Sequence, residues 1–176
     1  MANSKYEKYV VRKLIPPDPK VAWSRKDLGW MAPYHFMSTN GPVKEANTMA
    51  EFMWVTKDCA FGVTTDRPPH KHDCDEIFIF QGTNPENVME LGSDCEFWMG
   101  EGADTEKITF NTTTLIYVPK GLVHLPVFYR NFKKPSLLMV IGLNIGNALQ
   151  NNIKHPVRGV ENMLFGFGGG ELTSTP

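Results

Sequence analysis

The sequence predicts an all-β fold of antiparallel strands, on three observations. Short apolar runs recur along the chain, separated by Gly, Pro, Asn and Asp. No stretch carries the i, i+3, i+4 apolar spacing of an amphipathic helix of useful length. Tight breaks stand between the runs, at Gly82-Thr83-Asn84-Pro85, Gly100-Glu101-Gly102 and Pro119-Lys120-Gly121.

Taken in order, the predicted strands cover residues 6–14, 50–56, 60–64, 76–80, 95–99, 107–110, 114–118, 123–129 and 136–143. The run Ile77-Phe78-Ile79-Phe80-Gln81-Gly82 reads as a strand that ends in a glycine turn. Val123 and His124 follow the Pro/Gly turn and open another strand. Alternation makes Phe97-Trp98-Met99 at least half core, with one face available to line a cavity. Short helical turns are expected near residues 27–30, 85–88 and 147–151. There is no internal repeat.

The 176 residues suffice for one domain with a substantial core. Residues 1–48 form an N-terminal arm, 49–145 the β domain and 146–176 a C-terminal extension. Ile15-Pro16-Pro17-Asp18-Pro19 predicts an extended connector, because proline fixes φ and removes an amide donor. The arm also carries Trp23, Trp30, Tyr34, His35 and Phe36, which need cover on the domain or on a second subunit. The tail 164–170 holds glycines without a following helix or a Lys-Ser/Thr pair, so it does not read as a phosphate cradle.

Lys plus Arg number 18 and Asp plus Glu 19, a formal charge of −1. That balance argues against nucleic acid as a partner, since such binding needs clustered positive charge. No apolar run is long enough for a membrane-spanning helix, and the first residues lack the apolar stretch of a signal peptide. Cys59, Cys74 and Cys95 have no framework spacing and fit free thiols. A cytoplasmic location, with no nucleic-acid and no membrane partner, is the resulting expectation.

The segment His70-Lys71-His72-Asp73-Cys74-Asp75-Glu76 carries the chemistry. Side chains alternate along an extended chain, so His70 and His72 project together while Lys71 faces away. Asp73-Cys74-Asp75 can turn the chain and bring Glu76 back beside the two imidazoles. Phe78 and Phe80 share the face of Glu76 and would wall the site with apolar surface. Some distance on, Pro119-Lys120-Gly121-Leu122-Val123-His124 supplies a third histidine, whose face Pro126 and Phe128 are expected to share. Neutral imidazole and carboxylate suit divalent Fe, Mn, Ni, Zn, Co or Cu. A hairpin with surface histidines is the alternative. Cys74 is either a further ligand or a loop thiol, and Asp75 either orients a histidine or is a solvated turn acid.

These two segments resemble the paired motifs of the cupin superfamily. The first motif has the form G-x5-H-x-H-x3or4-E-x6-G, and His70, His72 and Glu76 fit it. Its closing glycine, Gly82, comes one residue early, and Thr64 stands at the opening glycine. The second has the form G-x5-P-x-G-x2-H-x3-N, fitted by Pro119, Gly121 and His124. Threonine replaces its first glycine and Phe128 its asparagine. The resemblance spans about residues 50–143 and implies an antiparallel double-stranded β-helix, the cupin or jelly-roll barrel. It also implies a metal at His70, His72, Glu76 and His124, iron first among the candidates, and a homodimer. An oxygenase-type enzyme on a small organic molecule is the leading expectation, ahead of a non-catalytic sensor and of a sugar isomerase or lyase, whose general base would be His35, Glu51 or Tyr117 by residue type. Phe78, Phe80 and Phe128 are the expected cavity-lining residues.

Overall fold

The computed structural model describes residues 5–12, 30–31, 36–37, 43, 45–62 and 69–145. Ten antiparallel strands carry it: β1 (Trp30–Met31), β2 (Phe36–Met37), β3 (Thr48–Val55), β4 (Cys59–Phe61) and β5 (Asp75–Gly82). The others are β6 (Glu90–Met99), β7 (Glu106–Thr112), β8 (Thr114–Val118), β9 (His124–Arg130) and β10 (Ser136–Leu143). One sheet runs β1-β3-β10-β5-β8, with β2 also paired to β3. The second runs β4-β9-β6-β7. The fold is thus the two-sheet antiparallel architecture expected, although the two sheets are not closed into one continuous barrel among the described residues.

The core forms where the inner faces meet. Phe78 and Phe80 of β5, Leu138 and Val140 of β10, and Ile116 and Val118 of β8 come from the first sheet. Cys95 and Phe97 of β6 and Val127 and Tyr129 of β9 come from the second. Every one of these lies on the period-2 pattern, which is why their strands were readable. Edge-to-face rings bind the layers: Phe78 to Phe97 at 5.0 Å, and Phe80 to Phe110 at 4.8 Å between centroids. Burial holds the Tyr129 phenol well above its ordinary pKa, so it stays neutral.

Several boundaries differ from expectation for physical reasons. Residues 6–12 form no strand; a single 3-10 turn covers Glu7–Tyr9. A strand needs a ladder partner, and this segment instead pairs Glu7 with Arg12 and Lys8 with Glu45 at the surface. The strand expected at 95–99 begins five residues earlier, at Glu90. The apparent break Leu91-Gly92-Ser93-Asp94 is an irregularity within β6. Gly92 takes φ +88 there, and its carbonyl accepts the amides of Lys133 and Lys134. Residues 85–88 are a turn and not a helix, and Trp30 lies in β1. From the arm, β1 and β2 add to the edge of β3. Residues 146–176, with the helical turn expected at 147–151, lie outside the described residues.

No helix among the described residues is long and apolar enough to cross a membrane.

Candidate metal centre

The two motif segments meet through backbone pairing. His70 and His124 exchange both amide hydrogen bonds, at 3.0 and 2.8 Å, as an antiparallel pair does. The Gly121 amide donates to the His72 carbonyl at 2.9 Å. Gly121 adopts φ +82, a left-handed conformation that its missing Cβ permits. The Lys120 amide donates to Asp75 Oδ1 at 2.8 Å, and the Lys120 ammonium pairs with Asp73. These contacts fix one turn against the other, so ligands far apart in sequence keep one geometry.

Three histidine rings therefore cluster. Centroids lie 4.6 Å apart for His70 and His72, 4.7 Å for His70 and His124, and 5.4 Å for His72 and His124. One nitrogen from each lies within 4.8 Å of the others, and this group could hold a metal ion. Glu76, the second residue of β5, extends its carboxylate among them. Its Oε2 is 2.9 Å from His124 Nε2 and its Oε1 is 3.5 Å from His72 Nε2. His70, Glu76 and His124 are buried, whereas His72 keeps 22% of its side chain exposed and marks the open side.

The donor chemistry fits a divalent cation. His124 Nδ1 lies 3.1 Å from the Leu122 carbonyl. A carbonyl can only accept, so Nδ1 carries the hydrogen and the Nε2 of a neutral ring presents a lone pair. That lone pair faces a carboxylate oxygen, which is favourable only with a proton or a metal cation between them. Two ligands each about 2.1 Å from one ion and at right angles would be about 3 Å apart. The spacing of His124 Nε2 and Glu76 Oε2 matches.

The apolar residues divide. Phe78 borders the cluster, its ring 5.5 Å from that of His124, and Phe97 packs behind it. Phe80 is fully buried deeper in the core, against Phe97, Phe110 and Tyr129. Phe128 is a correction. It does not share the face of His124, because β9 carries one more residue than β6 between two paired positions. Met99 pairs with His124 and Phe97 with Val127, so three steps along β9 match two along β6. The extra residue flips the alternation, and Leu125 within it takes φ +75. Val127 and Tyr129 then face the core, while Phe128 lies on the opposite face under the Arg130 guanidinium, 4.7 Å from its centroid. Pro126 was the readable signal, since a proline inside a strand marks an edge or a bulge. Phe128→Asn should accordingly leave metal content and ligand preference unchanged and lower stability by about 1–3 kcal/mol through the buried amide. Metal analysis and thermal melting of that variant check this; a shifted ligand preference would return Phe128 to the cavity.

The remaining candidates fall away from the chemistry or outside the described residues. Burial, then the charges of Glu76, Asp75 and Asp73, push the Cys74 thiol up to about 11, so it behaves as a protonated loop thiol. Asp75 accepts a hydrogen bond from the Lys120 amide, and its presence raises the Tyr117 phenol above its ordinary pKa. It therefore braces the two turns; neither of these partners is a histidine ring. Tyr117, a candidate base by type, is 51% exposed on the outer face of β8. His35 and the side chain of Glu51 lie outside the described residues.

No family model matches the sequence, and no curated protein matches it. Several solved structures resemble it, among them a cupin barrel domain protein and vicilin. A Cupin 2 conserved barrel domain protein from Salinispora arenicola is 14% identical over 83% of this chain and 100% of its own, with a TM-score of 0.43. Vicilin from hazelnut, Corylus avellana, is 11% identical over 58% of this chain, with a TM-score of 0.41; the match spans 24% of the vicilin chain. The cobalt form of HppE in complex with substrate is 11% identical over 74% of this chain and 58% of its own, with a TM-score of 0.35. At these identities the likeness concerns the fold alone.

Proposed function

We propose that this chain is a metal-dependent cupin enzyme acting on a small organic molecule, with His70, His72, Glu76 and His124 as the ligands. The observation that carries the proposal is the buried convergence of Glu76 with the histidines, above all the 2.9 Å approach of Glu76 Oε2 to His124 Nε2. A divalent iron ion held there would supply redox chemistry toward dioxygen and an organic substrate.

The chain's own part is positioning and exclusion. The Leu122 carbonyl holds the His124 tautomer, and the Gly121–His72 backbone bond holds the second ligand segment. Substrate enters on the side where His72 is exposed. Phe78 and Phe97 close the inner side and keep water from the reacting atoms. An isomerase or lyase would also need a general base beside the substrate. Tyr117 does not supply it, because it faces outward on β8.

The test is elemental analysis of protein purified without chelator, followed by oxygen uptake with catechol, thiol and β-diketone panels. About one iron per chain and uptake with one substrate class are expected. Tight ligand binding without oxygen consumption would replace the enzyme by a sensor, and protein that takes up no divalent metal would end both.

A further inference from the structure

The run Phe97-Trp98-Met99 ends β6 beside the metal centre, and the strand registers decide which of its side chains stands near a ligand. Phe97 is buried in the core. Trp98 points the other way, with the Lys107 ammonium 5.5 Å from its ring centroid. Met99 returns to the inner face by alternation and packs, partly buried, against the core cluster. It pairs directly with His124, the first residue of β9. The Gly100 amide donates to the Val123 carbonyl at 2.8 Å and holds that register at the strand end. On its other side His124 bridges His70. His70, His124 and Met99 therefore form one row across three segments. Residues directly opposite in an antiparallel pair share a face, with Cβ atoms about 4.5–5.5 Å apart. The Met99 side chain thus stands next to His124 on the flank away from His70.

We propose that Met99 determines substrate specificity: it contacts an apolar group that the substrate carries next to its metal-chelating oxygens. The inference rests on the metal-dependent reading above. The two flanks of His124 differ in chemistry. On one, His70 offers a ring nitrogen to the cluster. On the other, Met99 has no charge and only a weakly accepting sulfur. A polar substituent placed there would lose water without gaining a partner, whereas an apolar one loses nothing. Leu122, from the turn before His124, is likewise apolar and packs against the same core cluster. Methionine is unbranched, adapts to the shape beside it, and its sulfur makes favourable contacts with aromatic rings. The class that fits is therefore a bidentate oxygen chelator bearing an aromatic body, and a chelator with only a small aliphatic group leaves this flank unused.

Anaerobic calorimetric titration of the chain, loaded with the divalent ion it takes up, tests this without turnover. The probes are benzohydroxamate and acetohydroxamate, which share one chelating head and differ in the apolar group. The native chain should bind benzohydroxamate about tenfold more tightly, the low end of what a well-placed apolar group is worth in a pocket. Met99→Gln keeps the side-chain length and adds an amide. It should abolish most of that preference while acetohydroxamate affinity and metal content stay native, and Met99→Leu should keep the preference. A merely structural role would move both probes together or neither. An unchanged ratio of the two affinities in Met99→Gln would overturn the proposal, as would loss of metal from that variant or a metal-loaded native chain without the preference. If Met99→Gln fails to fold, Met99→Ala decides by the same ratio. A native chain that takes up no divalent metal would instead sink the reading of the site itself, and this inference with it.

Discussion

Replacing His124 by Ala should lower metal occupancy at least tenfold and destabilise the chain. Three effects act together at this residue. The imidazole is a ligand in the proposed centre, and loss of even a supporting group around a metal typically costs 10–100-fold in affinity, as an order of magnitude. The side chain is 1% exposed, so its removal leaves a cavity beside Phe78. Glu76 also loses its 2.9 Å neighbour while remaining buried. Elemental analysis and denaturant unfolding of the metal-free protein separate the ligand effect from the packing effect. Unchanged metal stoichiometry in His124→Ala would remove this residue from the ligand set. The His72→Ala variant should lose metal comparably but stability less, because His72 is partly exposed and therefore less packed.

Much of this site was legible because its grammar is local. The His70, His72 and Glu76 spacing needs only an extended chain, a polar turn and a strand start, and β5 begins at Asp75, one residue before the expected opening at Glu76. His70 and His72 cluster even though only His70 sits in a β-bridge, so the alternation survives outside a formal strand. The strands 114–118 and 136–143 were read to the residue, because each is an apolar run bounded by turn chemistry. What failed was non-local. The facing of Phe128 depends on a residue count in β9 relative to β6, which no single segment contains. The Asp75–Lys120 bond joins two turns distant in sequence, so the acid looked like a solvated turn residue or a partner of histidine. Nor does periodicity distinguish cavity wall from core: Phe78 and Phe80 share a face of β5, yet only Phe78 has a ring contact with His124.

That last distinction predicts the other large effect. Phe80→Ala should cost about 3–5 kcal/mol of stability, the usual range for truncating a fully buried aromatic. The ring has no exposed area and meets Phe97, Phe110 and Tyr129 from both sheets. Its loss therefore opens a void between the layers that the strand ladders on either side cannot close. The metal ligands do not depend on it: they are held by the His70–His124 pair and the Gly121 and Lys120 amides at the other end of β5. Phe80→Ala should thus melt early yet bind metal at native stoichiometry when folded. Phe78→Ala should show the complementary balance, since its ring stands between Phe97 and His124. It should disturb oxygen uptake or ligand affinity at a stability loss no larger than that of Phe80→Ala. Denaturant unfolding with metal analysis on both variants is the measurement. A near-native stability for Phe80→Ala together with altered ligand preference would move Phe80 from the core to the cavity wall.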